Sequence, residues 1–429
     1  MPTLQELAVG AVCSLVLLSM VAPVTGAVSA SAPQVDSDSS VGTVSVTDNV
    51  SVWERAPLPL RTDPGGPTQV QGMSLFFNVP QQNTGDVPLN KPTLSVYDKG
   101  EPISMVFESS LGAGTESFAG DDAQLVAVQL ENESSMQRFT DGFTVTEVRD
   151  LVQNDSEAVS VEVLDDEDGV GAIDQDGRLN VSYTPNESGG YLFMLATVES
   201  GDGFATDGDS LRADSDVTVV GMDGALVHDT SSTVEPVSDR VAPGEKASFH
   251  VDSNIEADNV THGLVVYRQS ELVSQRATAT LEGDLDRNLS TDQLTVETTL
   301  DRVEGTTTTS ENATLLGVNL TDEQFQLPMT LDGLFDVVVT ESRSGQGSGQ
   351  ENVLHASMTA VEGGPNGVLT VQTGDDWPNG DYRVVHVATA ENGSQISTSD
   401  GRITVNPSGQ QGNGQNDGGQ QGNGQGSDK

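Results

Sequence analysis

The sequence predicts a mainly β protein: two related immunoglobulin-like β-sandwich domains, each with one short helix, set between an export signal and a disordered tail. Three observations carry this. Apolar runs of strand length alternate with turn residues along most of the 429-residue chain. Helical spacing is scarce. Short sequence echoes recur in the same order in the two halves, as a duplication would leave them.

The chain opens on an uncharged apolar run, Leu7 to Val21, followed by the small residues Thr25 to Ala32. Its length and flanks fit a signal peptide over residues 1–32, cleaved after Ala27, Ala30 or Ala32. Glu6 and no Lys or Arg precede the run, which leaves the α-amino group as its positive end. The single cysteine, Cys13, lies inside the run, so the mature chain is expected to hold none. That excludes a disulfide framework and thiolate metal ligation. No second apolar run of spanning length follows, so no transmembrane helix is expected in the mature chain.

The first sandwich, with an N-terminal extension, is assigned to residues 33–222. Leu94–Val96, Ser104–Phe107, Val126–Leu130 and Val159–Val163 read as strands, and Tyr191–Val198 as a strand buried on both faces. Val148, Leu151 and Val152 stand at i, i+3 and i+4 behind Thr146, the spacing of a capped short helix. The second sandwich, 223–406, repeats the pattern in Ala247–Val251, Gly263–Tyr267, Val337–Val339 and Arg383–Thr389. Asp168-Gly169, Asp176-Gly177 and Asn379-Gly380 supply turns. Residues 407–429 contain GQQGNGQ twice and, from Ser408 on, no apolar side chain, so a disordered tail is expected there.

The echoes tie the halves together. Gly100-Glu101-x-x-Ser104 returns as Gly244-Glu245-x-x-Ser248, and Thr144 to Val152 as Thr330 to Val338. Ala196 to Gly201 returns as Ala388 to Gly393, and Val217-Thr-Val219 as Ile403-Thr-Val405. The second half carries the longer stretch between its first two echoes.

Charge narrows the function classes. Acidic residues number 65 against 18 basic ones, a net −47, and only Lys91, Lys99, Lys246 and Lys429 are lysines. Such a surface has no basic face with which to release counterions from nucleic acid. Spread over a folded surface, the carboxylates stand about 15 Å apart by surface scaling. At ~0.1 M salt the Debye length of ~10 Å lets neighbours repel, and at ~1 M, near 3 Å, it does not. The composition suits a halophile. With it, the segment Val50-Ser-Val-Trp53-Glu-Arg55-Ala-Pro-Leu-Pro-Leu-Arg61 and the two β-rich units resemble a family of uncharacterised haloarchaeal secreted surface proteins. The likeness runs from about Ser51 to Val405. It implies an extracellular β-sandwich protein and attaches no activity.

Chemistry-bearing motifs are few. Ten N-x-S/T sequons make Asn49, Asn132, Asn154, Asn180, Asn186, Asn259, Asn288, Asn312, Asn319 and Asn392 candidates for N-linked glycans after export. The threonine run Thr306–Thr309 is a weaker O-glycan candidate or a plain polar loop. Gly208-Asp209-Ser210-Leu211 spells an esterase signature, yet no helix pattern follows Ser210 and no Asp-x-x-His occurs. All five histidines, His228, His250, His262, His355 and His386, lie in the second half without a helical metal spacing. His250 and His386 read as packed or half-exposed strand residues. The acidic loops Asp165–Gly169 and Asp174–Gly177 lack the acid or amide that a calcium loop needs five residues before the glycine. Trp53 and Trp377 are the sole tryptophans, too few for a sugar-stacking platform. The sequence therefore predicts an extracellular or cell-surface structural or adhesive protein of a halophile, with no catalytic residues, metal site or cofactor. Its expected partners are the cell envelope or other surface proteins, and no nucleic acid. The alternative is an extracellular binding module for a glycan, a divalent metal or a surface partner.

Overall fold

The computed structural model describes residues 43–53, 55–56, 59–78, 86–88, 93–109, 114–130, 159–207, 210–281, 294–310, 314–316, 318–320, 334, 338, 352–390, 393 and 395–406. Among the described residues, nine strands of the first sandwich form the frame that the second repeats. They are β1 (Val50–Trp53), β2 (Leu60–Thr62), β3 (Thr93–Asp98), β4 (Ile103–Phe107), β5 (Asp122–Leu130), β6 (Val159–Leu164), β7 (Leu179–Tyr183), β8 (Gly189–Val198) and β9 (Val217–His228). One sheet has the order β1-β9-β8-β5-β6, with β3 parallel to the far end of β9, and the facing sheet is β2-β4-β7. The facing strands alternate as their residues dictate: Ile103, Met105, Phe107, Val181 and Tyr183 point inward and are buried. β8, predicted to be covered on both faces, is buried from Gly189 to Thr197.

Among the described residues, the matching nine strands of the second sandwich are β10 (Thr230–Ser231), β11 (Thr233–Pro236), β12 (Arg240–Val241), β13 (Lys246–Asp252), β14 (Val260–Tyr267), β15 (Val353–Gly363), β16 (Asn366–Gln372), β17 (Gly380–Ala390) and β18 (Ile396–Val405). Here the order is β10-β18-β17-β14-β15 over β11-β13-β16, with β12 parallel to the far end of β18. Strand for strand, each position in the first sandwich has its partner nine strands later. The register agrees as well. Val227 lies opposite Gly189 and Tyr97, and Val405 opposite Gly380 and Val241. That equates Tyr191 with Tyr382, and both hydroxyls donate to the carbonyl four residues back, Glu187 O at 2.9 Å and Pro378 O at 3.0 Å.

The duplication is thus written in the fold more faithfully than in the echoes. The Gly100 and Gly244 echoes stand at the same turn, β3–β4 and β12–β13. The Ala196 and Ala388 echoes are one residue out of register, because Thr389, not Ala390, is opposite the start of β18 as Val198 is opposite the start of β9. Val217–Val219 opens β9, whereas Ile403–Val405 closes β18; its structural counterpart is Ile396–Thr398. The Thr144–Val152 helix lies outside the described residues. Of its echo, Leu334 and Val338 are described, and both are helical and buried. At Val338 this replaces the strand expected over Val337–Val339, whose other two residues lie outside the described ones: a three-residue apolar run fits either element. A five-residue helix, Gln269–Val273, was not legible in the sequence.

The strand β9 runs through the 222–223 boundary expected from sequence, so the first sandwich closes at His228. A clasp joins it to the second. Thr68–Gln71 pairs with β3, while Gln69 O accepts from Arg383 Nη2 of β17 at 2.9 Å. Ser74–Asn78 then pairs in parallel with Arg276–Thr280, within a four-stranded sheet that also holds Leu294–Thr298 and Asp86–Pro88. The largest hydrophobic cluster runs continuously from Val50 of the first sandwich to Ile396 of the second. Among the described residues, no helix is long and apolar enough to cross a membrane.

Candidate functional site

The inner face of the second sandwich carries its densest chemistry. On β17, alternation places Tyr382, Val384 and His386 in phase, and on β14 it does the same for His262, Leu264 and Val266. The two imidazoles stack with centroids 5.3 Å apart and split the core into a cluster around Phe249 and Trp377 and a smaller one around Ile255 and Val260. Valence fixes every proton. His262 Nε2 lies 2.8 Å from Gly364 O, which only accepts, so Nε2 carries the proton. His262 Nδ1 is then an acceptor, and His386 Nε2–H donates to it at 3.0 Å. His386 Nδ1 accepts from Ser232 Oγ at 2.8 Å, and Ser232 in turn accepts from Ser399 Oγ at 2.7 Å. Burial, with His262 beside it, pushes His386 down to about 3. Burial lowers His262 too, against the opposing pull of the Gly364 bond and Asp252. Ser232, His386 and His262 have the connectivity of a nucleophile, base and orienter, but all three are buried within the sandwich, away from any substrate.

The other histidines are also bonded or surface-placed. His228, at the end of β9, joins the sandwiches: Nε2 meets Asp98 Oδ1 at 2.5 Å, and Nδ1 meets Thr398 Oγ1 of β18 at 3.0 Å, which also bonds Thr68. His355 on β15 lies between two carboxylates, Glu271 at 2.9 Å from Nδ1 and Glu304 at 3.1 Å from Nε2. Arg268 and Arg302 pair with those same carboxylates, which makes a five-residue chain of polar contacts. Its two ring nitrogens point apart and cannot converge on one cation. His250 is exposed on the outer face of β13.

In the first sandwich, an open cleft of about 730 Å³ is lined by Asp122, Asp165, Asp166, Glu167, Glu199 and Asp202. Buried Gln124 shapes its wall, accepting from Phe204 N at 2.7 Å and donating to Asp202 O at 3.1 Å. Burial, then Glu199 and Asp122, raise the neighbouring Asp121 carboxyl. The two acidic loops near it are spoken for by backbone: Asp165 accepts from Glu167 N, and Asp174 from Asp176 N and Arg178 N. Among the described residues, no three His, Cys, Asp or Glu side chains are grouped to hold a metal ion.

The remaining predicted positions scatter. Ser210 opens the strand Ser210–Ala213, paired with Phe204–Asp207, so it occupies no strand-to-helix turn. Trp53 packs edge-on against Phe118 and Trp377 stacks on Tyr382 with its Nε1 donating to Glu304 O, so both indoles serve the core. Thr307–Thr309 is a strand parallel to β15 rather than a loop. Asn49, Asn180, Asn186 and Asn259 are exposed. Asn319 ends the strand Val318–Asn319. Asn132, Asn154, Asn288, Asn312 and Asn392 lie outside the described residues. Ser232, Ser399, Arg61 and Asp223 were missed, because a lone serine or a charged residue in a strand pattern gives no sign of which partner the fold will bring to it.

No protein-family model matches the chain, and no curated protein matches it. Solved structures with a partial likeness include the Yersinia pseudotuberculosis adhesin InvE, at TM-score 0.15 and 12% identity, over 72% of this chain and 56% of that one. Another is a Corynebacterium diphtheriae protein described as membrane anchored, at 0.15 and 7%, over 75% and 65%. A third is the tetra-tandem repeat in the extending region of a large adhesion protein, at 0.16 and 8%, over 78% and 49%. The chain spans less than two thirds of the length of each, and likeness at these scores carries no argument about role.

Proposed function

We propose that the chain is an exported, cell-surface structural or adhesive protein of a halophile, akin to the haloarchaeal secreted surface proteins its composition resembles. The observation that carries this reading is where the reactive side chains go. Four of the five histidines are bonded within the second sandwich or between the two sandwiches, and Ser210 lies in a β-hairpin. Chemistry that an enzyme would expose is here spent on joining strands and domains. The clasp and the His228 bridge support a fixed spacing between the two units, as suits a protein that bears load or presents a surface. The acidic, lysine-poor surface supports molar salt as its working medium. Exposed Asn49, Asn186 and Asn259, next to or within turns, are the sequons we expect to carry glycan, ahead of Asn180 within β7. The test is fractionation of the native host into envelope and medium, with intact-mass and glycopeptide analysis of the protein recovered. Recovery from the cytoplasm with its first 32 residues present and unglycosylated would refute the reading.

A further inference from the structure

The chain crosses from the first sandwich to the second through Asp229–Ser232. This connector is sewn to β18 by Asp229 N→Ile396 O at 2.9 Å and Ser232 N→Thr398 O at 3.0 Å. Nearer the surface, Asn254 Nδ2 donates to Ser231 O and Ile396 N to Asp229 Oδ2, and the buried side-chain bond that fastens the connector to the core is Ser232 Oγ to His386 Nδ1. Beyond His386 lies His262, and beyond that the Gly364 carbonyl in the β15–β16 turn, so one hydrogen-bonded line runs from the connector through the sandwich interior.

We infer that the His262–His386 pair is an acid-sensitive latch, which as two neutral rings holds the inter-sandwich connector through Ser232 and on taking up a proton lets it go. The geometry gives the reason. A proton added at His262 Nδ1 sets two N–H groups face to face across 3.0 Å. A proton added at His386 Nδ1 can be met by turning Ser232 toward Ser399, but it leaves a cation at a site with no exposure. The elements packed on the pair offer little relief. β18 gives Ser399, β14 gives Leu264, the connector gives Ser232, and the charge that bears on His262 is Asp252 at the end of β13. Asp229 of the connector is engaged by Lys99 and Ile396 N, and His228, across Thr398, by Asp98. Asp400 of β18 pairs with Arg383.

The first sandwich supplies the control. Register equates His386 with Leu195 and His262 with Ala123, both buried and apolar. The experiment is amide hydrogen exchange by mass spectrometry on the full chain at fixed salt from pH 7.5 to 4.5, corrected for the intrinsic rate. Protection in residues 229–236 should fall about tenfold per pH unit below ~6.5 for each histidine that takes up a proton, with β8 unchanged. The paired substitution His262→Ala with His386→Leu should abolish that slope while leaving Asp229, His228 and Asp252 in place. Flat wild-type protection over 229–236 overturns the latch, as does an equal loss in β8 or a slope that survives in the double variant. Should the variant fail to fold, imidazole nitrogen shifts of the wild type at pH 7 decide: both rings as Nε2–H tautomers support the latch, and any other pair of tautomers overturns it.

Discussion

At equivalent positions the two sandwiches solve the same packing problem with different chemistry. The first fills the layer with Leu195 and Ala123, and buries an ionic group elsewhere: Asp223 on β9, beside the half-buried Arg61 of β2, with its Oδ2 accepting from Thr62 N at 2.7 Å. The second has Gly401 where the first has Asp223, and places its polar groups in the neutral line from Ser399 to Gly364. Burial lowers Arg61, and the Asp223 charge works against that. The contrast teaches that the fold dictates burial and register, not polarity. Either choice holds if each donor finds an acceptor, but only the second puts imidazoles, His262 and His386, in the buried layer.

Salt should have the largest effect and be blind to this comparison. A net charge of −47 is a property of the surface, and buried groups are screened little. The unfolding midpoints of both sandwiches should therefore climb together between ~0.1 M and ~1 M salt. Midpoints that stay still over that range would remove the halophilic reading, and a shift confined to one sandwich would mean that a buried pair dominates.

Next comes a substitution that should strike one sandwich alone. Asp223→Ala leaves the half-buried Arg61 without the carboxylate that acts on it and Thr62 N without its acceptor. Loss of one partner of a buried pair costs about 3–5 kcal/mol. Denaturant unfolding, resolved by peptide-level exchange, should show this in β2, β8 and β9 and leave β17 and β18 as they were. A loss under about 1 kcal/mol would show that Arg61 finds other partners readily.

Third are the matched turn glycines. Gly100 at φ 84° and Gly244 at φ 79° are both left-handed, and their N–H groups donate to Pro185 O and Gly374 O in equivalent connections. Gly100→Ala meets no neighbour within 4 Å and should cost only the backbone term, roughly 1–2 kcal/mol. Gly244→Ala brings its Cβ against the Asp375 carboxylate, so it should cost more by the rotamer shift Asp375 must make, about 0.5–1.5 kcal/mol. Equal thermal shifts in the two variants would mean that Asp375 moves aside freely.

These glycines also mark what the sequence could convey. Gly-Glu-x-x-Ser is legible because a left-handed turn admits few residues, so the echo sits in register. β8 was legible because burial on both faces leaves a nearly continuous apolar run, and β17 because Val384, Val385, Val387 and Ala388 keep most of that run around His386. The Ala196 and Ala388 echoes mislead by one residue because small residues suit either face near a strand end. The strand pattern around His386 reads as packed or half-exposed, and it is packed, while its bond to His262 joins residues 124 apart in sequence. The clasp was hidden for the same reason: no local pattern announces that Ser74–Asn78 will pair with Arg276–Thr280.

The smallest expected effect separates two acid responses of the second sandwich. Glu271, on the helix Gln269–Val273, accepts from His355 N at 2.8 Å, from the His355 ring and from Arg268 at 3.0 Å. Burial would raise its carboxyl, but those hydrogen bonds outweigh it and hold the group below its ordinary 4.5. A carboxyl depressed in the folded state contributes stability above the unfolded value and loses it as pH falls through the folded one. Its window therefore opens near pH 4.5 and extends downward, whereas the histidine pair responds from about 6.5. Glu271→Gln should flatten the acid limb below ~4.5 by something on the order of 1 kcal/mol, solvent access at the site being allowed for. The slope between pH 6.5 and 4.5 should remain. If the variant instead removes the upper slope, the response assigned to His262 and His386 belongs to the His355 chain. The two histidine sites of this sandwich would then have to exchange roles.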